Sequence, residues 1–164
     1  IMPSLVGSEM CIRDSDKIAW EITQFETELE SKEYDACRFL LNEKIIVNRT
    51  SKITPKKMGQ FVTFWKRNEA GITTPLNNND QFDFYIINTR KQEKLGQFVF
   101  PKSILISKGI ISTTMKDGKR GFRVYPSWDI ATNKQALKTQ KWQLDYFYEV
   151  GELTTFDKVI NLYC

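Results

Sequence analysis

Hydrophobic positions recur along this chain with two different periods, and the switches between them set out an order of elements. Ile18, Ile22, Phe25 and Leu29 fall at helical spacing while Glu21, Glu26, Glu28 and Glu30 take other faces, which predicts an acidic amphipathic helix over 17–31. Residues 34–41 and 44–50 read as strands joined by Asn42-Glu43, a two-residue hairpin link in which Asn tolerates positive φ. Thr54-Pro55 ends that run, and 60–66 follows as a short aromatic strand with bulky residues on both faces, the pattern of a central strand. A polar loop around Asn77 to Asp80 precedes 82–88, which pairs in antiparallel sense with 96–100 across the charged tip 90–94.

Further along, Pro101 can open a short helix over 102–108 that Gly109 terminates. Asp117-Gly118 fits a type I′ turn between strands 110–114 and 121–125. Leu137, Leu144, Phe147 and Tyr148 share one helical face with a Lys134, Lys138, Lys141 stripe beside it, predicting a long helix over 133–148. The pattern leaves the tail from Gly151 undetermined. With no repeat or linker, strands in the middle and helices at the ends predict an α+β fold. The expected form is a single domain with one mixed, mainly antiparallel sheet flanked by an N-terminal and a long C-terminal helix.

Composition bounds what such a domain does. At 164 residues and 41% hydrophobic content the chain can bury a core without disulfides. Cys11, Cys37 and Cys164 are odd in number and far apart, which predicts a reducing, cytoplasmic setting. No apolar run approaches the ~20 residues that cross a bilayer, so membrane insertion is not expected. Residues 1–15 lack the build of a signal peptide and resemble a translated sequencing-adapter read-through, a non-native leader, placing the domain proper at 16–164.

Charge is uneven. Residues 1–48 carry five Lys/Arg against ten Asp/Glu, a balance of −5, so with a whole-chain charge of +4 residues 49–164 carry +9. Most of that lies in 49–67, with six basic residues and no acid, and in 102–141, with nine basic residues and two acids. Cationic side chains that displace counterions from phosphates give sequence-independent affinity, so a nucleic-acid or other polyanion partner is the expectation. The candidate contacts are Lys52, Lys56, Lys57, Lys66, Arg67, Lys119, Arg120, Arg123, Lys138 and Lys141, with Trp65 as a stacking platform. Each segment reads equally as a solvated face; the functional reading requires that folding bring the two together.

Catalytic chemistry is sparse. The chain has no histidine, which removes Ser-His-Asp and Cys-His catalysis and most zinc sites. Its eight glycines are scattered and form no phosphate loop. Strand alternation places Asp83, Gln97, Arg123 and Tyr125 on one sheet face, where Asp83 and Arg123 form either a buried ion pair or part of a ligand site. No cofactor is expected.

Five segments, 51–67, 82–87, 96–102, 120–129 and 139–143, occur in an order that resembles the MepB family, and the resemblance runs from about Asp16 to Tyr148. It implies a bacterial protein without established enzymatic activity, some members being encoded beside a multidrug efflux pump and its repressor. A protein-interaction role in an efflux or stress operon is therefore a further alternative. The family core is similar to the nuclease fold with a PD-(D/E)xK site, which implies Asp83, Gln97 and Lys102 as site residues, with Mg²⁺ on Asp83. Here Gln97 stands in place of the second carboxylate and Val99 in place of the lysine, with Lys102 three positions further on. That pattern implies a degenerate nuclease-like core in a non-catalytic binding module; a Mg²⁺-dependent nuclease is the alternative.

Overall fold

In a computed structural model the chain is described over residues 22–151 and 156–163. The leader 1–15, the boundary at 16 and Cys11 lie outside the described residues, as do positions 17–21 of the expected first helix. The fold is α+β and mainly antiparallel.

Six strands form the main sheet. These are β1 (Ile22–Thr27), β2 (Cys37–Leu41), β3 (Lys44–Thr50), β8 (Phe84–Lys91), β9 (Lys94–Pro101) and β11 (Phe147–Val150), in the order β1-β2-β3-β8-β9-β11. Every neighbouring pair is antiparallel except β3 and β8, which run parallel with Thr50 opposite Asn88. The chain between those two strands builds a second layer. There β4 (Lys52–Ile53), β5 (Gln60–Thr63) and the later β10 (Gly121–Val124) make a three-stranded sheet, and β6 (Trp65–Arg67) pairs with β7 (Thr73–Pro75). Among the described residues three helices complete the fold: α1 (Lys102–Ser107), α2 (Lys134–Gln143) and α3 (Phe156–Tyr163).

Several expectations hold. The Asn42-Glu43 link joins β2 to β3 with φ of 48° and 69°, the two positive values a type I′ turn demands. Strands β8 and β9 pair through eight residues, from Phe84 opposite Pro101 to Lys91 opposite Lys94. Helix α1 starts after Pro101 and ends before Gly109 at φ 68°.

Four expectations need correction. Residues 22–27 are an edge strand rather than helix, with a bulge between Thr23 and Glu26 around Gln24 at φ 51°. Thr23 and Thr27 favour extended backbone, Leu29 is 83% exposed, and Ser31 and Asp35 in left-handed conformations break any helix. The expected strand 60–66 divides at Phe64 between two sheets, so that β5 is central only in the small one. The segment 110–120 is irregular and β10 pairs with β5, not with 110–114. Gly118 there lacks positive φ; it is required because a Cβ would lie 2.3 Å from the Ile110 carbonyl oxygen. Finally, α2 stops at Gln143, and Leu144–Tyr146 forms a 3-10 turn that lets Phe147 and Tyr148 join the main sheet as β11. Consecutive aromatic residues, which a strand sends to opposite faces, suit a sheet covered on both sides better than a one-sided helix. The C-terminal helix is the separate α3.

Two apolar layers cover the two faces of the main sheet. Val47, Tyr85, Ile87, Phe98, Phe100 and Phe147 face the small sheets and α2, whereas Ile46, Phe84, Ile86, Val99 and Tyr148 pack with Val159 and Tyr163 of α3. Among the described residues no helix is long and apolar enough to cross a membrane. On the first face, a Cβ at Gly96 would sit 2.3 Å from Phe147 Cζ and 3.0 Å from Trp128 Cη2. Gly96→Ala is expected to destabilise the fold by about 1–3 kcal/mol, seen as a lower urea midpoint at unchanged slope.

Candidate nucleic-acid interface

The turn 54–59, strand β10, the loop 110–120 and helix α2 enclose a groove of about 350 Å³. Its cations are Lys57 and Lys108 together with Lys119 and Arg123, and no Asp or Glu lines it. Lys57 comes from the first basic segment and the other three from the second, so folding brings the two together here. Among the described residues none of the four has an ion-pair partner within 4.0 Å.

Local structure fixes the walls. Arg123 donates from Nη1 to the carbonyls of Met58 at 3.0 Å and Gly59 at 3.2 Å, and from Nη2 to Thr54 Oγ1, fastening β10 to the turn that carries Lys57. Gly59, at φ 77°, lies so close to the Tyr125 ring that a Cβ would meet it at 2.7 Å. Buried Gln143 accepts from the Tyr125 N–H at 2.9 Å and donates to the Arg123 carbonyl at 2.9 Å, holding α2 against the end of β10. The α2 N-terminus is capped by Asn133, whose Oδ1 accepts from the Ala136 N–H at 2.8 Å. The Lys108 ammonium lies 5.4 Å from the Trp142 ring centre.

The remaining basic candidates divide. Lys56 is exposed on the same turn but does not line the groove, and Lys52 on β4 sits 4.7 Å over the Tyr34 ring. Arg120 lines a second concavity of about 630 Å³ across the 110–120 loop, with Lys66 and Arg67 but also Glu69 and Asp117. Its Nε donates to the Thr73 carbonyl at 3.2 Å. Lys66 is paired with Asp80 at 2.5 Å and Arg67 with Glu30 at 3.5 Å. Trp65 is half-buried, 5.4 Å from the Arg67 guanidinium carbon. Helical geometry puts Lys138 on the flank of the groove-facing positions 135, 136, 139, 142 and 143, and Lys141 further round. Both are exposed. Arg49 is 3% exposed, paired with Glu28 at 2.5 Å. The acidic first segment thus neutralises Arg49 and Arg67 and leaves the groove alone. Next to Arg49, burial raises the Tyr85 phenol well above its usual range, outweighing the lowering by Arg49, so Tyr85 serves only as a donor, to the Thr63 carbonyl at 2.7 Å.

The expected polar cluster of Asp83, Gln97, Arg123 and Tyr125 does not form. Asp83 Oδ2 accepts from the Ile45 N–H at 2.7 Å, and no ion pair joins Asp83 to Arg123. The Lys102 ammonium donates to the Asp80 carbonyl, so Lys102 holds the loop before β8 while Asp83 holds the start of β3. Gln97 is buried on the α3 side of the sheet. It donates to Asn88 Oδ1 at 2.7 Å and accepts from the Tyr148 and Tyr163 hydroxyls, while Asn88 donates to Asn48 Oδ1 at 2.8 Å. Sequence reasoning missed this row of three amides because each is an ordinary polar position within its strand, and only the pairing register sets them in line. It also missed Lys108, whose signal was its place just ahead of the helix-ending Gly109. Among the described residues no three His, Cys, Asp or Glu side chains converge in a way that holds a metal ion.

The MepB-like family profile matches residues 28–149. Among solved structures, the crystal structure of MepB is 34% identical, with a TM-score of 0.79 over 88% of this chain and 97% of that one. A bacterial homing endonuclease, I-Ssp6803I, is 17% identical with a TM-score of 0.45 over 87% of this chain and 88% of that one, a likeness too small to carry an argument. No curated protein matches the sequence.

Proposed function

The chain belongs to the MepB-like family, and from that premise we propose that it is a non-catalytic nucleic-acid-binding module that holds a phosphate backbone in the groove of Lys57, Lys108, Lys119 and Arg123. The observation that carries the reading is the convergence of four cations from two distant segments on one concavity without a carboxylate. Like charges gathered in one groove repel one another until an anion enters, so the groove favours phosphate over the empty state. The exposed Lys56 and Lys138 extend the charge beyond the rim, and Arg120 carries it across the loop. Trp142 and Tyr125 offer ring surface among the cations.

A fluorescence-anisotropy titration of a labelled oligonucleotide against salt tests this. Four phosphate contacts give a slope of log K against log salt of about −3 to −4. An affinity that stays flat between roughly 50 and 200 mM salt, or no binding, would sink the reading.

No observation favours the Mg²⁺-dependent nuclease. Asp83 caps a backbone N–H and Gln97 is enclosed among amides and phenols. Plasmid incubated with the protein and Mg²⁺ is expected to stay intact, and cleavage lost in Asp83→Ala would reinstate the nuclease.

A further inference from the structure

The opposite face of the main sheet carries a further, differently built cavity of about 240 Å³, bordered by Asp35, Thr50, Asn88, Arg90, Leu95 and Val150. By strand alternation Thr50, Asn88, Arg90, Leu95 and Val150 all belong to the α3 side, away from the basic groove. Thr50 and Arg90 lie at the carboxyl ends of β3 and β8, the one parallel pair of the sheet, and a crevice outside such ends is a recurrent ligand position.

Three features define what the cavity fits. Its floor is polar and rigid: Asn88 is fixed on both sides by Asn48 and Gln97, and Thr50 Oγ1 is buried with no hydrogen-bond partner among the described residues. Leu95 and Val150 give it a short apolar wall. At its border stand one carboxylate, Asp35, and one guanidinium, Arg90, both exposed, and among the described residues neither has an ion-pair partner, each other included. Opposite charges that share a cavity without pairing match a ligand with an ammonium at one end and a carboxylate at the other. A simple anion or cation would engage only one of them and leave the other to solvent. The volume, below the roughly 300–1,000 Å³ of ordinary ligand sites, limits that ligand to a few heavy atoms beyond its charges.

We infer that this cavity binds a small aliphatic zwitterion, a free amino acid, with its ammonium toward Asp35, its carboxylate toward Arg90 and a polar contact to Thr50. The inference is independent of the polyanion reading, since no residue is shared.

Isothermal titration calorimetry of the full chain tests it with L-valine and 4-aminobutyrate, an α- and an ω-amino acid. Isovalerate and isobutylamine, which are valine without its ammonium or without its carboxylate, are the controls. Saturable heat from at least one zwitterion is expected, with each singly charged control weaker by about tenfold or more. Asp35→Asn and Arg90→Gln are each expected to weaken that binding by a similar factor. Asn is suited to the left-handed backbone at Asp35, φ 50°, so the first variant keeps its local conformation, and thermal melts check both. No saturable heat from either zwitterion, equal binding of the singly charged controls, or folded variants that bind as the parent does would overturn the inference.

Discussion

Replacing Lys57 and Lys119 together by glutamate is expected to weaken oligonucleotide binding at low salt by roughly a hundredfold or more and to make the salt slope shallower by about 2. The two residues enter the groove from different basic segments, and among the described residues neither has an ion pair or a side-chain hydrogen bond that substitution would break. Folding is therefore spared while two cationic contacts become repulsive. Arg123 is the poorer choice, because its guanidinium also ties β10 to the carbonyls of Met58 and Gly59, and its loss would mix binding with local unfolding. Lys44→Glu with Lys94→Glu, on the β2–β3 and β8–β9 tips outside the groove, supplies the matched change in net charge and is expected to alter affinity by no more than about threefold. Comparable losses in the two proteins would mean that net charge, not the groove, governs binding. Separate lines for the two would locate the contact.

What could be read in advance follows from how local each signal is. The β2–β3 and β8–β9 hairpins and α1 were legible because their turns and caps lie within a few residues: Asn42-Glu43, the tip at Gln92-Glu93, Pro101 and Gly109. Errors arose where distant pairing overrode local periodicity. Helical spacing of Ile22, Phe25 and Leu29 was real in the sequence, yet β2 offered an unpaired edge, and Phe25 stacks on Phe39 at 6.2 Å from an extended strand. Likewise Phe147 and Tyr148 continued an apolar helical face, but β9 was open on that side and paired with them as β11. Asp117-Gly118 carries the dipeptide of a tight hairpin; the partner of β10 is instead β5, some sixty residues earlier, a choice no local turn signal encodes.

The candidate site shows the same division. Uneven charge along the chain marked which segments to follow, and Lys57, Lys119 and Arg123 were named from it, but the sequence could not separate free cations from compensated ones. Arg67 and Lys66 meet Glu30 and Asp80 only in three dimensions. The amide row Asn48, Asn88 and Gln97 was invisible for a related reason. Each residue alone is an ordinary polar strand position, and only the parallel β3–β8 register sets their side chains in line.

Truncating Phe100 is expected to cost the most of any single core change, about 3–5 kcal/mol, because this one ring meets aromatic side chains of three further elements at once. It is fully buried, with ring centres of Phe98 at 5.4 Å, Trp142 at 5.5 Å, Tyr146 at 6.0 Å and Phe122 at 6.3 Å. Those partners come from β9 itself, α2, the 3-10 turn after it and β10, so one side chain ties the main sheet to two walls of the basic groove. Phe100→Ala would remove the transfer free energy of a phenyl ring and leave a cavity whose lining is held by three separate elements and is slow to collapse. For a chain of this size the loss corresponds to a fall in Tm of about 6–20 °C, read by calorimetry, with a lower urea midpoint at unchanged slope. A fall of only a degree or two would mean that α2 and β10 close on the sheet without it. The consequence for binding distinguishes scaffold from contact. Below its lowered Tm the variant still carries Lys57, Lys108, Lys119 and Arg123, so the salt slope of oligonucleotide binding should persist. Affinity should drop, because Trp142 and Phe122, which hold the two walls in register, lose their common support.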